Sequence, residues 1–163
     1  MNIENTLKKL ALSYLSKYDS TRKNLEMILK KKIFRMKETS KKEKFLFYDS
    51  IKKILDEFES KKIINDENFA EIKIKNLSSN GKSKYFIENL LLKKGVEKKL
   101  IKELIKKFDE INPDWEIESA LLFAKKKKLG KSDLLEKKNK DLAKMARAGF
   151  NYEISIKVLE KIL

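Results

Sequence analysis

One cluster of carboxylates has a spacing that suits catalysis, and it follows the single proline of the chain. Asp114 comes directly after Pro113, and Glu116 and Glu118 follow at two-residue intervals. A metal-dependent nuclease uses such carboxylates, with a lysine, to bind a divalent ion and activate water. Here Ser and Ala follow Glu118 instead of that lysine, and no strand pair is predicted to hold the carboxylates. We therefore expect no catalytic residue and no metal site.

The residue types that the chain lacks exclude most other chemistry. The 163 residues include no Cys and no His, so thiol nucleophiles, disulfides, zinc fingers and imidazole acid–base catalysis are excluded. No glycine-rich loop of the kind that holds nucleotide phosphates is present. The sequence therefore predicts a protein that is not an enzyme and needs no cofactor.

The chain is strongly basic, which indicates an anionic partner. It carries 40 Lys and Arg residues against 25 Asp and Glu, a net charge of +15. Such an excess favours DNA, a nucleoprotein or an acidic protein surface. Only three of the basic residues are arginine, so part of the lysine excess is consistent with a coding bias. The alternative to an anionic partner is a basic surface that is merely solvated.

Basic side chains cluster at the predicted ends of helices. Residues 30–32, residues 93–94 and Arg147 each end the second helix of a predicted triplet. Cations there stabilise the helix dipole by about 0.3–1 kcal/mol each. Equivalent ends of stacked repeats would also align into one positive stripe that faces phosphates or an acidic groove. Both interpretations stay open.

Two further groups of lysines are candidates for contact with a partner. Residues 125–128 are four adjacent lysines, whose side chains point to more than one face of a helix and repel one another. This favours a bound partner over a solvated face. Lys82 and Lys84 follow Gly81 and would suit phosphate contact at a helix start, although lysine there opposes the helix dipole.

Aromatic residues near these lysines differ in their expected burial. Phe69 and Phe86 fall on apolar stripes and are expected in the core, whereas Tyr85 lies beside the stripe and is better placed to stack on a base. The candidates for contact with a partner or with DNA are Lys30, Lys31, Lys32, Lys82, Lys84, Tyr85, Lys93, Lys94, Lys125, Lys126, Lys127, Lys128 and Arg147.

Apolar side chains recur at helical spacing along the chain, which predicts nine helices. One proline and four glycines provide few turns, which argues against a β-sandwich or barrel. An all-α fold is therefore predicted. The stripe of the third helix contains Phe45, Tyr48, Ile51, Leu55 and Phe58, and that of the eighth contains Leu135, Leu142, Met145 and Ala146.

A short phrase with a central glycine recurs at a fixed period. Lys94-Gly95-Val96 and Ala148-Gly149-Phe150 place their glycines 54 residues apart (149 minus 95), each between two amphipathic segments. This predicts three tandem three-helix repeats, at residues 1–62, 63–112 and 113–163. In the first, Lys32 replaces the glycine, and a longer connection is expected around residues 34–45, either as a loop or as an extension of the third helix.

Short polar residues and glycines predict where several helices begin and end. Asp66 and Asp114 are expected to cap the helices that open the second and third repeats. Gly130 is expected to end the seventh helix, and Ser132-Asp133 to start the eighth.

The sequence contains no signal for a membrane. No apolar segment approaches the roughly 20 residues that span a bilayer. The N-terminus begins as an amphipathic helix and has no apolar run of the signal-peptide type. We expect a cytoplasmic protein with no membrane partner.

Three stretches together resemble the RecX family, regulatory proteins that act on the bacterial RecA recombinase. They are residues 63–70, residues 81–82 with 90–96, and residues 142–150 with the apolar positions that follow. The likeness covers nearly the whole chain, in order. Asn65 stands where the family has an acid, and Ala148 where a basic residue is usual. The motif residues of the resemblance are Asp66, Phe69, Gly81, Gly95, Gly149 and Phe150.

The resemblance implies a fold and a function. The fold is three helix-turn-helix-like repeats in an elongated, curved body. The function is binding of a RecA–DNA filament and inhibition of recombinase and coprotease activities by occupancy of its groove, within homologous recombination, DNA repair and the SOS response. Single- and double-stranded DNA are expected to be weaker or indirect partners, and the protein a monomer. The alternative is a direct DNA-binding repeat protein that acts without RecA.

Overall fold

The computed structural model describes residues 2–162, and these form nine α-helices and no strand. The all-α class predicted from the sequence is therefore confirmed. The helices are α1 (Ile3–Leu15), α2 (Arg22–Phe34), α3 (Lys41–Ser60), α4 (Asp66–Ser79), α5 (Lys84–Lys93), α6 (Lys98–Ile111), α7 (Trp115–Lys126), α8 (Leu135–Arg147) and α9 (Tyr152–Ile162).

The described chain divides into two compact units, and the first is built around a three-helix core. This unit contains the described residues up to Phe69, together with Lys94–Val96. Both α1 and α2 pack against α3. Ser40 begins α3 with a capping box, in which its hydroxyl accepts the Glu43 N–H and its own N–H donates to the Glu43 carboxylate. The core contains Leu7, Ala11, Leu25, Leu29, Ile33, Phe47, Ile51, Ile54, Leu55, Phe58 and Ile64.

The second unit contains Ala70–Lys93 and the described residues from Glu97 onward. Within it α9 packs against α7 and α8, and α5 packs against α6. Helices of this length are marginal alone, so burial of their apolar stripes stabilises them more than intrinsic propensity does. The core around α9 contains Ala120, Ala124, Leu129, Met145, Phe150, Val158 and Leu159.

Two helices end at a lysine in the left-handed conformation. Lys62, after α3, and Lys128, after α7, each have a φ of 55°. At the end of α7 the Lys128 N–H donates to the Lys125 carbonyl at 3.1 Å, and the Leu129 N–H donates to the Ala124 carbonyl at 2.9 Å. These paired bonds form a Schellman motif, in which glycine is the usual residue at the left-handed position.

The sequence predicted that Gly130 ends α7, and this prediction is wrong. The helix ends at Lys126, and Gly130 lies beyond the left-handed lysine with a φ of 77°. Its N–H donates to Asp141 Oδ2 at 2.9 Å, and Asp141 is 3% exposed. Gly130 therefore belongs to the turn that packs against α8.

Two predicted N-caps differ from the observed ones. Asn65, not Asp66, caps α4, because its side chain accepts the Asn68 N–H at 3.0 Å. Asp66 is the first helical residue and has a different partner, described below. Asp114 does stand at the N-cap position of α7, but its side chain makes no capping hydrogen bond.

The predicted apolar stripe of α3 is wrong at its first two positions. Phe45 is 68% exposed and Tyr48 is 36% exposed, whereas Phe47 is fully buried. Phe47 lies four residues before Ile51 and so shares the helix face that packs on α1 and α2. The buried face is therefore rotated relative to the predicted one.

The stripe of α8 is narrower than predicted. The helix begins at Leu135, not at Ser132-Asp133, and Leu135 is exposed. Ala146 is exposed as well. Met145 is fully buried, and Leu142 packs against the same core. The first half of α8 is polar, so its second half supplies the buried face.

The connection expected around residues 34–45 is helical over half of its length. α2 runs through Phe34 and α3 begins at Lys41, so residues 35–40 lie between them. Of the two alternatives for this segment, the extended third helix agrees with α3, which is 20 residues long and begins within it. The grouping into three repeats, at 1–62, 63–112 and 113–163, stays a prediction.

Candidate nucleic-acid interface

The start of α2 is held by two contacts with distant parts of the sequence. Thr21, its N-cap, accepts the Asn24 N–H at 3.1 Å and donates its hydroxyl hydrogen to the Lys94 carbonyl. The Arg22 N–H donates to Asp66 Oδ1 at 2.8 Å. The partners lie 73 and 44 residues away along the chain. The first turn of α2 is thus fixed by residues of the predicted second repeat.

The start of α5 shows the same pair of contacts. Ser83 accepts the Phe86 N–H at 3.1 Å and donates its hydroxyl hydrogen to the Ala148 carbonyl at 2.7 Å. The Lys84 N–H donates to Glu116 Oε1 at 3.4 Å. A hydroxyl–carbonyl bond and an N–H–carboxylate bond therefore occur at both helix starts.

Each hydroxyl reaches the carbonyl just before a repeated glycine, and glycine is required there for two reasons. Gly95 and Gly149 have φ values of 83° and 91°, which side chains disfavour. A Cβ on Gly95 would lie 2.5 Å from the Lys23 Cβ. A Cβ on Gly149 would lie 2.5 Å from the Ser83 Oγ and 3.0 Å from the Tyr85 Cδ1. These short distances exclude a side chain at Gly95 and Gly149. The ends of α3 and α7, in contrast, accept a lysine in the left-handed conformation.

The two carboxylates at these helix starts are partly desolvated. Burial raises the pKa of Asp66 and also that of Glu116. Glu116, considered above as part of a metal-binding cluster, instead accepts a backbone N–H. No group of three or more His, Cys, Asp or Glu side chains among residues 2–162 is placed to hold a metal ion.

A cationic cleft in the second unit lies where the ends of α7 and α8 approach each other. Its volume is about 440 Å³, and it is lined by Phe123, Lys127, Lys144, Arg147 and Ala148. The Phe123 and Phe150 rings have centroids 5.6 Å apart, so the core anchors one side of Phe123. Three cations therefore stand around an apolar floor. We call these five lining residues the cationic cleft.

The start of α5 borders this cleft. The Ser83 hydroxyl binds the carbonyl of Ala148, a lining residue, and the Tyr85 ring lies against Gly149, the next residue. Tyr85 is 65% exposed. The Lys82 ammonium lies 4.8 Å from the centre of the Phe86 ring, a cation–π distance. The expected burial of Phe86 is wrong, since it is 38% exposed.

The structure thus brings some of the predicted binding residues together. Lys127 and Arg147 line one cleft, and Tyr85 lies beside it. Neither Lys127 nor Arg147 forms an ion pair with another described residue. Lys144 and Phe123 were missed by the sequence analysis, and the signal for Lys144 was its position one helical turn before Arg147. Lys144 lies 4.0 Å from the nearer oxygen of Asp141.

Two predicted cations have partners of their own. Lys84 pairs with Asp109 at 2.9 Å, and the Trp115 indole N–H donates to the same carboxylate at 2.6 Å. Lys30 pairs with Glu26 at 2.5 Å, one helical turn away. A partner would have to compete with these carboxylates for the two ammonium groups.

The other predicted cations lie at helix ends, where they also stabilise the helix dipole. Their part in partner binding stays a prediction. Lys31 and Lys32 lie in the last turn of α2, Lys93 in that of α5, and Lys125 and Lys126 in that of α7, while Lys94 supplies the carbonyl bound by Thr21.

The aromatic and glycine residues of the resemblance have structural positions. Phe69 and Phe150 are 7% and 3% exposed. Gly81, with a φ of 80°, follows α4, and a Cβ there would lie 3.2 Å from the backbone nitrogen of Phe123. Gly81 therefore allows the turn after α4 to pack closely on α7. None of the helices in residues 2–162 is long and apolar enough to cross a membrane.

Comparison with known proteins gives matches along nearly the whole chain. The regulatory protein RecX of Myxococcus xanthus (strain DK1622) is 28% identical over 159 residues, which cover 94% of this chain and 84% of that protein. The crystal structure of RecX from Lactobacillus salivarius matches with a TM-score of 0.74 and 22% identity, over 99% of this chain and 97% of that chain. No protein-family model matches the chain.

These observations define a class of protein, a strongly basic all-α chain with the fold of RecX. Its helix starts carry a repeated pair of contacts, and its described cationic residues include three around one apolar cleft. The chain is thus similar in sequence to a RecX regulatory protein and has the fold of a RecX crystal structure.

Proposed function

We propose that this protein regulates a RecA-type recombinase, by binding the recombinase–DNA filament and inhibiting recombinase and coprotease activities. The observation that carries the proposal is the likeness to RecX proteins in both sequence and fold, over at least 94% of the chain. The net charge of +15 supports it, since a nucleoprotein filament presents both phosphates and acidic protein surfaces.

The mechanism proposed is occupancy of the filament groove. A RecA filament repeats the same surface at every protomer, and this chain repeats the same helix-start contacts at α2 and α5. Several weak contacts with successive protomers would act together, because each one raises the effective concentration of the next. Occupancy would exclude homologous duplex and the substrate of the coprotease. The same proposal includes that the protein is a cytoplasmic monomer and acts in DNA repair and the SOS response.

The test is ATP hydrolysis by the cognate recombinase on single-stranded DNA, with this protein titrated in at fixed, moderate salt. Parallel anisotropy measurements follow its binding to the same DNA without recombinase. We expect hydrolysis to fall at protein concentrations well below that of the recombinase, before the DNA alone would be coated. Loss of hydrolysis that follows saturation of the DNA, or no loss, would contradict filament regulation.

The second candidate function is direct DNA binding without a recombinase. The observation that favours it is the cationic cleft, in which three cations surround an apolar floor. It predicts tight binding of naked DNA that weakens steeply with salt. The two parallel measurements above separate the candidates, because only the filament regulator acts at low ratios to recombinase.

A further inference from the structure

We propose that the cationic cleft and Tyr85 form a binding site for one unpaired strand of nucleic acid. The cleft would take the backbone phosphates and one base, and Tyr85 would stack on a neighbouring base. This goes beyond filament regulation because it assigns the strand contact to particular residues of the second unit. It requires no recombinase.

The first argument is the charge around the cleft. Lys127, Lys144 and Arg147 lie on two different helix ends but line one cavity. Lys127 and Arg147 have no carboxylate partner among the described residues, and Lys144 is 4.0 Å from its nearest one. Three cations that line one cleft with Asp141 as the one paired carboxylate repel one another, and an anion between them relieves that repulsion. Successive phosphates of one strand supply such charge.

The second argument is the apolar floor. Phe123 and the methyl group of Ala148 form it, and the contact with Phe150 limits the movement of the Phe123 ring. A ring fixed in this way offers part of its surface to a planar group at little entropic cost. An unpaired base supplies that group together with a phosphate, whereas the bases of a duplex are stacked on each other. The site is therefore matched to a single strand.

The third argument is the position of Tyr85. Its ring lies against Gly149, two residues beyond Arg147, and remains 65% exposed. The absence of a side chain at Gly149 lets the ring approach the backbone beside the cleft. Base–aromatic stacking contributes about 1–3 kcal/mol per base, without sequence preference.

The test uses the full chain, without recombinase, and a fluorescent oligothymidylate of about 12 nucleotides, within the range that small single-strand sites cover. The cleft variant carries Lys127→Gln, Lys144→Gln and Arg147→Gln. The control variant carries Lys99→Gln, Lys102→Gln and Lys106→Gln on the exposed face of α6, and so loses the same charge. Circular dichroism and Trp115 fluorescence check that the cleft variant and the control variant remain folded. If the cleft variant does not fold, the single substitution Arg147→Gln replaces it.

We expect the cleft variant to bind at least about tenfold more weakly at low salt, with the slope of log K against log salt reduced by about 2, from three lost single-strand phosphate contacts. The control variant should change by less than about twofold. Equal weakening of both variants would overturn the proposal, because the binding would then come from diffuse charge.

A second comparison tests the base contacts. Tyr85→Ala should weaken binding of the oligothymidylate by about fivefold or more, as the loss of one stacked base predicts, and should leave binding of an abasic strand of the same length unchanged. Equal effects on both strands would overturn the stacking assignment.

A competition experiment tests the chemical class of the ligand. Polyglutamate of equal charge should compete poorly with the labelled oligothymidylate. If it displaces the strand as well as unlabelled oligothymidylate does, the site is one for acidic protein and the nucleic-acid proposal is wrong.

Discussion

Lysine at a left-handed backbone position has a conformational cost that glycine avoids. The φ of Lys128 is 55°, and such a conformation costs an L-residue roughly 1–2 kcal/mol. Glycine would remove this cost but add about 0.5–1 kcal/mol through the greater freedom of the unfolded chain. We therefore expect Lys128→Gly to stabilise the protein by about 0.5 kcal/mol in urea unfolding.

The neighbouring residue provides the control for this substitution. Lys127 has right-handed backbone angles at the C-cap of α7, so Lys127→Gly brings only the entropic cost and should destabilise by about 0.5–1 kcal/mol. If Lys128→Gly destabilises as much as Lys127→Gly does, then the Lys128 side chain makes a contact worth more than the strain.

The pKa of Asp66 predicts how a substitution there responds to pH. Burial raises this pKa, so the protonated acid favours the folded state below its ordinary pKa, and that contribution is lost as pH rises through the folded-state pKa. Asp66→Asn keeps an acceptor for the Arg22 N–H and carries no charge. The free energy of unfolding of Asp66→Asn, relative to the unsubstituted protein, should therefore increase between about pH 3 and pH 7.

Glu57 gives the opposite sign and serves as the control. Hydrogen bonds from Lys61 and Lys8 lower its pKa to about 2. The contribution of Glu57 is present above its ordinary pKa and is lost as pH falls through the folded-state value. Glu57→Gln should therefore be least stable, relative to the unsubstituted protein, near neutral pH. Parallel pH profiles for the two variants would contradict the assignment of the Asp66 shift to burial.

Residue-level predictions from the sequence failed where neighbouring residues offered equivalent choices. The segment Phe45-Leu46-Phe47-Tyr48 contains apolar side chains at every position, so periodicity alone does not fix which one is buried. Packing of α3 on α1 and α2 selects Phe47. In the same way, Asn65 and Asp66 are both good caps, and the carboxylate at position 66 is used by the Arg22 N–H.

At the level of elements, the all-α class was predictable because the apolar stripes are long and turn residues are few. The second contacts of the helix starts were not predictable. Thr21 and Ser83 have the sequence signature of N-caps, which describes bonds three residues ahead. Their bonds to carbonyls 73 and 65 residues away depend on how the helices pack. In the sequence, only the repeated glycines indicated this arrangement, because a glycine allows neighbouring atoms to approach the backbone closely.

The contact between Ser83 and the residues around Gly149 can be measured with a double-mutant cycle. Gly149→Ala introduces a Cβ at 2.5 Å from the Ser83 Oγ and imposes a left-handed φ on alanine, which we expect to cost more than the roughly 1–2 kcal/mol of backbone strain alone. Ser83→Ala removes both that oxygen and the bond to the Ala148 carbonyl. The double variant should therefore be more stable than the sum of the single effects predicts, by at least about 0.5 kcal/mol.

The control for this cycle is Thr21→Ala combined with Gly149→Ala. Thr21 makes its bond to the Lys94 carbonyl and has no described contact with Gly149, so these two effects should add within about 0.5 kcal/mol. Additivity in the Ser83 pair as well would mean that Gly149 is required for its φ alone and not for the close approach.

At the level of the whole molecule, net charge and placed charge make different contributions to binding. The sequence predicted the first without difficulty, since a charge of +15 needs only counting. It did not predict which cations come together, because Lys127 and Arg147 are separated by 20 positions (147 minus 127) and meet only when α7 and α8 pack around a common core. Long-range attraction depends on the total charge, whereas retention of a bound strand depends on the local arrangement.

The kinetics of strand binding should separate these two contributions. The cleft variant and the α6 control variant each lose three positive charges, which leaves both at +12 (15 minus 3). Because electrostatic steering depends on the overall field and is screened by salt, both should associate with oligothymidylate more slowly, and to the same degree, in stopped-flow measurements at low salt. Only the cleft variant should dissociate faster, by about tenfold or more, since differences within one interface fall mainly on the dissociation rate. Equal dissociation rates would show that the lysines and arginine of the cleft act as part of the general field and do not hold the strand.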